Sequence, residues 1–237
     1  MNRMETNMKT FRTIALVLGV ALAYSPFAAA ASPSQSVAGF FTQVVLDVKH
    51  KAVEKDWALA KRGGALGFGD MVRTGESSFA IIKFTDKSIV KVREKSELTL
   101  TSEMSVSKNV ELQKGVIGFN IQKQEKNSEF RFTSPTSVAS IRGTGGRFAA
   151  REFSDTLIVV EGNVLLTNFF TSQSVEVSSG FTGISNADGS IQVRPSTTAE
   201  RALGEAAAAP GEEQNQLEFD LRDSQGNKKK LKIQYKE

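Results

Sequence analysis

Short β-rich segments separated by glycines are the feature that most constrains the fold of this chain, and they are clearest over residues 130–168. There Phe130 and Phe132 alternate with polar neighbours, and glycines or polar residues end each segment. Segments of this length and composition are typical of strands. Between residues 32 and 185 no segment has a convincing helical period, apart from a possible turn in the charged stretch 49–61. The sequence therefore predicts an all-β domain.

The chain repeats one strand-and-turn pattern. In each copy, two apolar residues at i and i+2 end a strand, a two-residue step follows, and a glycine turns the chain into another β-rich segment. The glycines are Gly115, Gly162 and Gly180. Their spacings of 47 and 18 residues are uneven, so the pattern predicts no regular solenoid period. We expect short strands in a solenoid-like or sandwich-like arrangement over residues 31–185.

Residues 1–30 have the three-part pattern of a secretory signal peptide. Basic residues precede an apolar run over residues 14–23, and small residues follow it. A run of about 10 residues is too short to cross a bilayer core of about 30 Å as a helix. We therefore predict cleavage after Ala30 or Ala31, with a retained anchor as the alternative. The mature chain is expected to be periplasmic or secreted and to have no transmembrane segment.

Charge argues against nucleic-acid binding, and cysteine content excludes two structural features. The formal net charge is +4, and removing three basic and one acidic residue with the signal peptide leaves only +2. Nucleic-acid binding therefore gains little support from charge. The chain has no cysteine, which excludes a disulfide framework and a lipid anchor on cysteine.

The composition changes after residue 185. Residues 186–216 contain Pro195, Pro210 and an alanine-rich stretch, with almost no bulky side chains. Residues 198–209 could form a short helix, because alanine, glutamate, arginine and leucine favour one. With so little to bury, we instead predict a mobile linker over residues 186–216.

Residues 217–237 predict a C-terminal β-hairpin. Apolar residues alternate on both sides of a turn-forming segment over residues 223–227. A lone hairpin is marginal in water, so we expect it to dock on the main body, pair with its edge or bind a partner. Lysines at 228–230 and 232 form a basic edge that could contact acidic envelope polymers or discourage edge-to-edge aggregation.

Four motifs lie between residues 64 and 180. They are a Gly-Asp and Thr-Gly step at residues 69–75, the segment 110–121, an Ile-Arg-Gly-Thr block that begins at Ile141, and Val-Glu-Gly-Asn-Val at 160–164. Together they resemble the FecR family of periplasmic sensing modules, first described in iron-dicitrate regulation. The resemblance implies an extracytoplasmic all-β domain that binds partners and carries out no chemistry.

The chain departs from the family pattern in two places. In the family's regulators, a cytoplasmic anti-sigma segment and a transmembrane helix precede this domain, whereas here we expect a cleavable signal peptide. Family members often have glycine where this chain has Lys87. The resemblance and the expected export together predict a sensing module without a direct route to a cytoplasmic sigma factor.

Arg142, Gly143 and Thr144 are the motif residues that could contact a partner. Consecutive glycines permit concave backbone geometries that bind anions, and the guanidinium could add to such a site. The alternative is a strand-linking turn whose arginine pairs with Glu161 or Asp70. No helix is expected to follow, although a phosphate loop would need a helix N-terminus there.

The sequence offers little to support an enzyme. His50 is the only histidine and is predicted to be a solvated surface residue, and no serine lies in a nucleophile elbow. Asp70 with Asp86 or Glu94 could form the carboxylate pair of a glycosidase, but acids beside β-turns are commonly turn residues. We predict a non-enzymatic protein with no metal site and no cofactor.

Aromatic content favours protein binding over sugar binding. There are 16 phenylalanines but 1 tryptophan and 2 tyrosines, which indicates rings that fill a core. We predict an exported binding or sensing module of the cell envelope that contacts another envelope protein by strand addition or through its loops. The alternative is a structural or polysaccharide-binding envelope component.

Overall fold

The computed structural model of the protein describes residues 36–103, 107–126, 128–209, 216–222 and 228–234. The predicted signal peptide lies outside these residues. The strands are β1 (Val37–Val45), β2 (Val48–Lys51), β3 (Ala58–Leu59), β4 (Ala65–Gly67), β5 (Met71–Thr74), β6 (Phe79–Phe84), β7 (Ile89–Val92), β8 (Glu97–Glu103), β9 (Ser107–Asn120), β10 (Phe130–Thr133), β11 (Ser137–Ile141), β12 (Gly145–Ala150), β13 (Ser154–Glu161), β14 (Asn163–Asn168), β15 (Ser174–Ser178), β16 (Phe181–Asn186), β17 (Ile191–Pro195), β18 (Gln216–Arg222) and β19 (Lys228–Gln234), and the helix is α1 (Thr198–Ala208).

The all-β prediction is confirmed. Strands β1 to β17 form one hydrogen-bonded system, which divides into two sheets that share β9. Sheet A has the order β4-β1-β6-β7-β9-β12-β13-β16-β17. Sheet B has the order β3-β2-β5-β8-β9-β10-β11-β14-β15, and its β9 to β10 pair is parallel. Within the described ranges, no helix is long and apolar enough to cross a membrane.

Strand β9 passes from sheet B to sheet A at Gly115. Residues before this glycine pair with β8, and residues after it pair with β7 and β12. Gly115 has a φ of 109°, and a Cβ there would lie 2.5 Å from Ser96 Cα. The repeated glycines Gly162 and Gly180 also have positive φ and also stand where the chain changes sheet. The strand-and-turn pattern of the sequence therefore marks the passages between two layers.

Phenylalanine rings from both sheets meet in the core. Phe84 of sheet A packs on Phe130 of sheet B at a centroid distance of 5.0 Å. Phe132 of sheet B contacts Phe119 and Phe148 of sheet A at 4.9 Å and 6.1 Å. All five side chains are buried. The core-filling role predicted for phenylalanine is confirmed for these residues, each of which contributes about 1.5–3 kcal/mol on burial.

Strands β10 to β17 form hairpins alternately in sheet B and sheet A. Because consecutive strands run in opposite directions, the hairpin turns lie at one end and the passages between sheets at the other. We call the first the turn end, which comprises residues 134–136, 151–153, 169–173 and 187–190. We call the second the crossing end, which comprises residues 142–144, 162 and 179–180.

The predicted mobile linker over residues 186–216 is wrong for β17 and α1. Strand β17 continues sheet A beside β16, and α1 packs on the outer face of sheet A. A Cβ on Gly118 would lie 2.6 Å from Ala207 O, and one on Gly204 would lie 2.7 Å from Val160 Cγ1. The helix has few bulky side chains, but glycine contacts let its backbone approach the sheet closely. Small residues therefore suffice to hold it.

A capping box begins α1. The Thr197 side chain accepts the N–H of Glu200, and the Glu200 carboxylate accepts the N–H of Thr197. Glu200 also binds the Arg194 guanidinium through two contacts of 2.7 and 2.8 Å. This hydrogen-bonded arginine lowers the pKa of Glu200 to about 2. The helix is thus tied at its first turn to the end of sheet A.

The C-terminal hairpin is confirmed. Strands β18 and β19 are antiparallel and form a separate two-stranded sheet. The register places Leu217 opposite Ile233 and Phe219 opposite Leu231.

Candidate functional site

The Gly-Asp and Thr-Gly step has a structural role. Asp70 is buried, and its carboxylate accepts the backbone N–H groups of Gly67 at 2.9 Å and Val53 at 3.2 Å. His50 Nε2 lies 2.8 Å from Asp70 Oδ2, and the imidazole packs on Phe41. The prediction of a solvated surface histidine is therefore wrong: the His50 side chain is 21% exposed because Asp70 holds it against the core. These contacts fix the loop between β2 and β5.

The Arg-Gly-Thr turn at the crossing end does not form an anion-binding nest. The Thr144 N–H donates to Ile121 O at 3.1 Å, and the following glycines belong to β12. The Thr144 side chain is buried and donates to Asn163 O at 3.1 Å, so it is not available to a partner. Gly143 has a φ of 124° and lies over Lys123, which explains why a glycine is needed there.

Arg142 is the exposed member of this turn. In the described part of the chain it forms no ion pair, so the expected pairing with Glu161 or Asp70 is wrong. Asp70 is occupied by His50 instead. A partner contact through Arg142 stays a prediction.

The three candidate acids do not form a carboxylate pair. Asp70 binds His50, Asp86 binds Lys108 at 3.1 Å, and Glu94 accepts the Ser77 N–H at 2.7 Å. Asp86 is partly buried, which raises its pKa, but its hydrogen bonds with Gln124, Ser88 and Lys108 outweigh burial and lower the pKa overall. The described residues contain no group of three or more histidine, cysteine, aspartate or glutamate residues that could hold a metal ion.

Three exposed phenylalanines occupy the turn end. Phe153, Phe169 and Phe170 are 68%, 62% and 60% exposed. The rings of Phe169 and Phe170 contact each other edge to face at 6.3 Å. The prediction that phenylalanine fills the core is wrong for these three residues, because each lies in a hairpin turn that projects beyond the two sheets. We call them the aromatic end.

Buried Asn168 positions two of these rings. Its Oδ1 accepts the N–H groups of Phe170 at 2.9 Å and Thr171 at 3.1 Å. Its Nδ2 donates to Ser185 Oγ and Asn186 O, both at 2.9 Å. A buried amide with this many partners fixes one conformation of the turn, since any other would leave polar groups unpaired. The β14–β15 turn is thereby joined to β16.

Backbone hydrogen bonds connect the turns that carry the aromatic end. The Ala187 N–H donates to Phe153 O at 2.9 Å, and the Phe169 N–H donates to Thr136 O at 2.9 Å. Thr171 Oγ1 donates to Gly189 O at 3.2 Å. All four turns are therefore linked, and the exposed rings are carried on a preorganised platform instead of on independent loops.

Buried Asp155 holds the β10–β11 turn in this platform. Ser137 donates its hydroxyl to Asp155 Oδ2 at 2.6 Å, and Ser134 donates to the same oxygen. The Oδ1 atom has no hydrogen-bond partner within the described ranges. Burial raises the pKa of Asp155, although the serine hydroxyls oppose this shift. The turn end is thus held in part by a buried titratable group.

The sequence predicts none of the aromatic end. Phe169 and Phe170 follow a β-rich segment and would be taken as part of a core strand. The available signal is Asn168 followed by Thr171, because asparagine commonly accepts backbone N–H groups two or three residues later and so marks a turn.

Comparisons with known proteins agree with this architecture. Residues 70–165 match the family model described as FecR protein. The fold is similar to two crystal structures of candidate anti-sigma factors from Parabacteroides distasonis ATCC 8503, at 2.50 and 1.65 Å resolution. Both are 14% identical with a TM-score of 0.50, and the matches cover 64% and 66% of this chain and 68% and 70% of those chains. No curated protein matches the chain in sequence.

Proposed function

Since residues 70–165 form a FecR domain, which is a sensing and signalling module, we propose that this protein senses or signals through contacts with another protein of the cell envelope. The aromatic end is the observation that carries the proposal. Monomeric proteins seldom expose neighbouring large apolar side chains without a use for them. Aromatic residues are also enriched at the centres of protein interfaces.

The chemistry of the domain supports binding over catalysis. The Gly-Asp and Thr-Gly step at residues 69–75 and the buried Thr144 are occupied by structural hydrogen bonds. The phenylalanine rings at the aromatic end have no polar tip with which to bind a sugar. They favour an apolar protein surface, where burying each ring would contribute about 1.5–3 kcal/mol.

Loop contacts are the mode that we favour. The turn end is rigidly connected, so the rings lose little conformational entropy when a partner binds them. Edge strand β17 ends in Pro195, which has no N–H to donate and so discourages strand addition at that point. The hairpin β18–β19 is a second candidate for strand addition, because it forms a separate two-stranded sheet.

A crosslinking experiment with a matched control tests the proposal. Phe153, Phe169 and Phe170 are replaced together by serine, and the control replaces the exposed Leu46, Val53 and Leu59, which lie outside the turn end. We expect a crosslinked species of defined mass in cells with the wild-type and control proteins, and its loss in the triple phenylalanine variant. An unchanged species in that variant would contradict loop recognition. Deletion of residues 217–237 tests the hairpin separately.

Export is part of the proposal and has its own test. The motif over residues 1–30 supports cleavage by a signal peptidase. N-terminal sequencing of the protein from the envelope fraction should begin at Ala31 or Ser32. An uncleaved protein found with the cytosolic fraction would contradict an envelope function. Retention of the mature protein on purified cell-wall polysaccharide, unaffected by the phenylalanine substitutions, would favour the polysaccharide-binding alternative.

A further inference from the structure

A cleft of about 460 Å³ lies between α1 and the outer face of sheet A. Its volume is in the range of small-molecule sites. One wall is the helix, and the other is formed by the turn before β6, the residues after β7, and parts of β9 and β12. The lining residues are Ser77, Ser78, Phe79, Arg93, Glu94, Val116, Arg147, Leu203, Ala206 and Ala207.

Two arginines line this cleft from the end of β7 and from β12, which lie on either side of β9. Arg93 follows β7, and its N–H donates to Val116 O of β9 at 2.9 Å. Arg147 lies on β12 opposite Gly118 of β9, which has no side chain to cover it. Arg147 is half-buried, whereas Arg93 is exposed. Within the part of the chain that the structure describes, neither guanidinium forms an ion pair.

The electrostatics of the cleft are unfavourable in the absence of an anion. Burial lowers the pKa of Arg147, and the charges of Arg151 and Arg93 lower it further. Lys91 adds another cation, and its pKa is lowered by burial and by Arg93. The acid in the lining, Glu94, already accepts the Ser77 N–H at 2.7 Å. The neighbouring acid Glu76 is paired with Lys95 at 2.9 Å.

The cleft is apolar beside its charges. Leu203 of α1 is 52% exposed and faces the cleft with Ala206 and Ala207, while Phe79 and Val116 line the sheet side. Guanidinium groups present a planar fork that suits carboxylate and phosphate oxygens. We propose that the cleft binds a small organic anion, with its carboxylate or phosphate on Arg93 and Arg147 and its apolar part against Leu203.

The cations also have a structural explanation, which the test must separate from ligand binding. Lys91 Nζ donates to Ala206 O at 3.4 Å, and cations near the C-terminus of a helix are stabilising. Arg147 lies beside the same helix end. If it serves only the helix, removing it lowers thermal stability and leaves anion binding unchanged. The proposed site shares no residue with the aromatic end, so the result of its test is independent of the test of the proposed function.

Calorimetric titration of the full-length protein with phenylacetate, phenyl phosphate and inorganic phosphate tests the site. We expect one of the two organic probes to bind in a 1:1 ratio, and the preferred probe to identify the anion as carboxylate or phosphate. Arg93→Ala and Arg147→Ala should each weaken this binding about tenfold or more, since each removes a charge-assisted hydrogen-bond donor. Leu203→Ser should weaken the organic probes and leave inorganic phosphate unaffected.

Arg201→Ala is the matched control, because Arg201 is an exposed arginine of α1 that does not line the cleft. It should change affinity by less than about twofold. Arg147→Lys retains the positive charge but removes the planar guanidinium, so it tests whether that geometry is needed. If Arg147→Ala does not fold, Arg147→Lys and Arg93→Ala, whose native side chain is exposed, replace it in the experiment. The proposal is overturned if neither organic probe binds the wild type at about 10 mM. It is also overturned if Arg93→Ala and Arg147→Lys bind the preferred probe with the same affinity as the wild type.

Discussion

The two ends of the β10 to β17 region are held together in different ways. At the crossing end, close backbone packing holds the turns together: Gly162 has a φ of 76°, and a Cβ there would lie 2.7 Å from Gly143 O. At the turn end, buried side chains hold the turns together, because Asn168 and Asp155 form hydrogen bonds with backbone and hydroxyl groups of the turns. The first arrangement demands particular residues in the turns themselves. The second leaves positions 153, 169 and 170 exposed, and phenylalanines occupy them.

The largest effect is expected from Gly162→Ala, with Gly180→Ala as its matched control. Both glycines have positive φ, but a Cβ on Gly180 meets no atom within 4 Å. We expect Gly180→Ala to cost about 1 kcal/mol of unfolding free energy from backbone strain alone. Gly162→Ala should cost about 3 kcal/mol, because the clash with Gly143 O adds to the strain. Urea unfolding of both variants checks the difference, and equal losses would show that close packing at the crossing end is unimportant.

Asn168→Ala should produce the next largest loss, about 2 kcal/mol, because it leaves the N–H groups of Phe170 and Thr171 without their acceptor. The loss should be accompanied by faster amide hydrogen exchange over residues 169–173. Asn186→Ala provides a comparison within the same end, since its side chain bonds only Ser190 Oγ in the described structure. If exchange over residues 169–173 is as slow as in the wild type, Asn168 does not preorganise the aromatic end.

Asp155 should make the turn end sensitive to pH. Its pKa in the folded protein is raised, so the neutral form fits the site better than the charged form. Its contribution to stability is therefore fully present below the pKa of an unfolded aspartate and is lost as pH rises through the folded pKa. Asp155→Asn should lose this dependence, so the wild type should become less stable relative to the variant between pH 4 and pH 7. Urea unfolding at both pH values checks the sign, and the opposite trend would refute it.

The smallest effect on stability is expected at the exposed rings. Phe169→Ser with Phe170→Ser should change the unfolding free energy by about 0.5 kcal/mol or less, because both side chains are largely in solvent. Thermal unfolding of the double variant checks this. A loss comparable to that of Asn168→Ala would mean that the rings stabilise the domain and are not a surface reserved for a partner.

Sequence reasoning predicts the parts of this fold that depend on local chain geometry. Gly115, Gly162 and Gly180 mark changes of sheet because a positive φ selects glycine directly. A helix over residues 198–209 is only the alternative to a mobile linker in the sequence, although Thr197 followed by Glu200 is a capping-box signal. The helix is stabilised by packing on Gly118 in a distant strand. Long-range contacts of this kind leave no periodic pattern in the sequence.

The candidate sites are less predictable for the same reason. Arg142 and Thr144 belong to the most specific motif, yet Thr144 is buried and the motif determines a turn. Arg93 and Arg147 are 54 residues apart in the chain and meet only because β9 lies between their strands. The motif residues form turns and buried contacts, whereas the arginines proposed to bind an anion are brought to one cleft by the sheet.

Site-specific photo-crosslinking in cells tests this division most directly. A photoreactive amino acid is placed at Phe170 of the turn end in one strain and at Arg142 of the crossing end in another; both residues are exposed. The account predicts a crosslinked protein partner of defined mass from position 170, whether or not position 142 also captures one. A partner captured from position 142 and not from position 170 would contradict it.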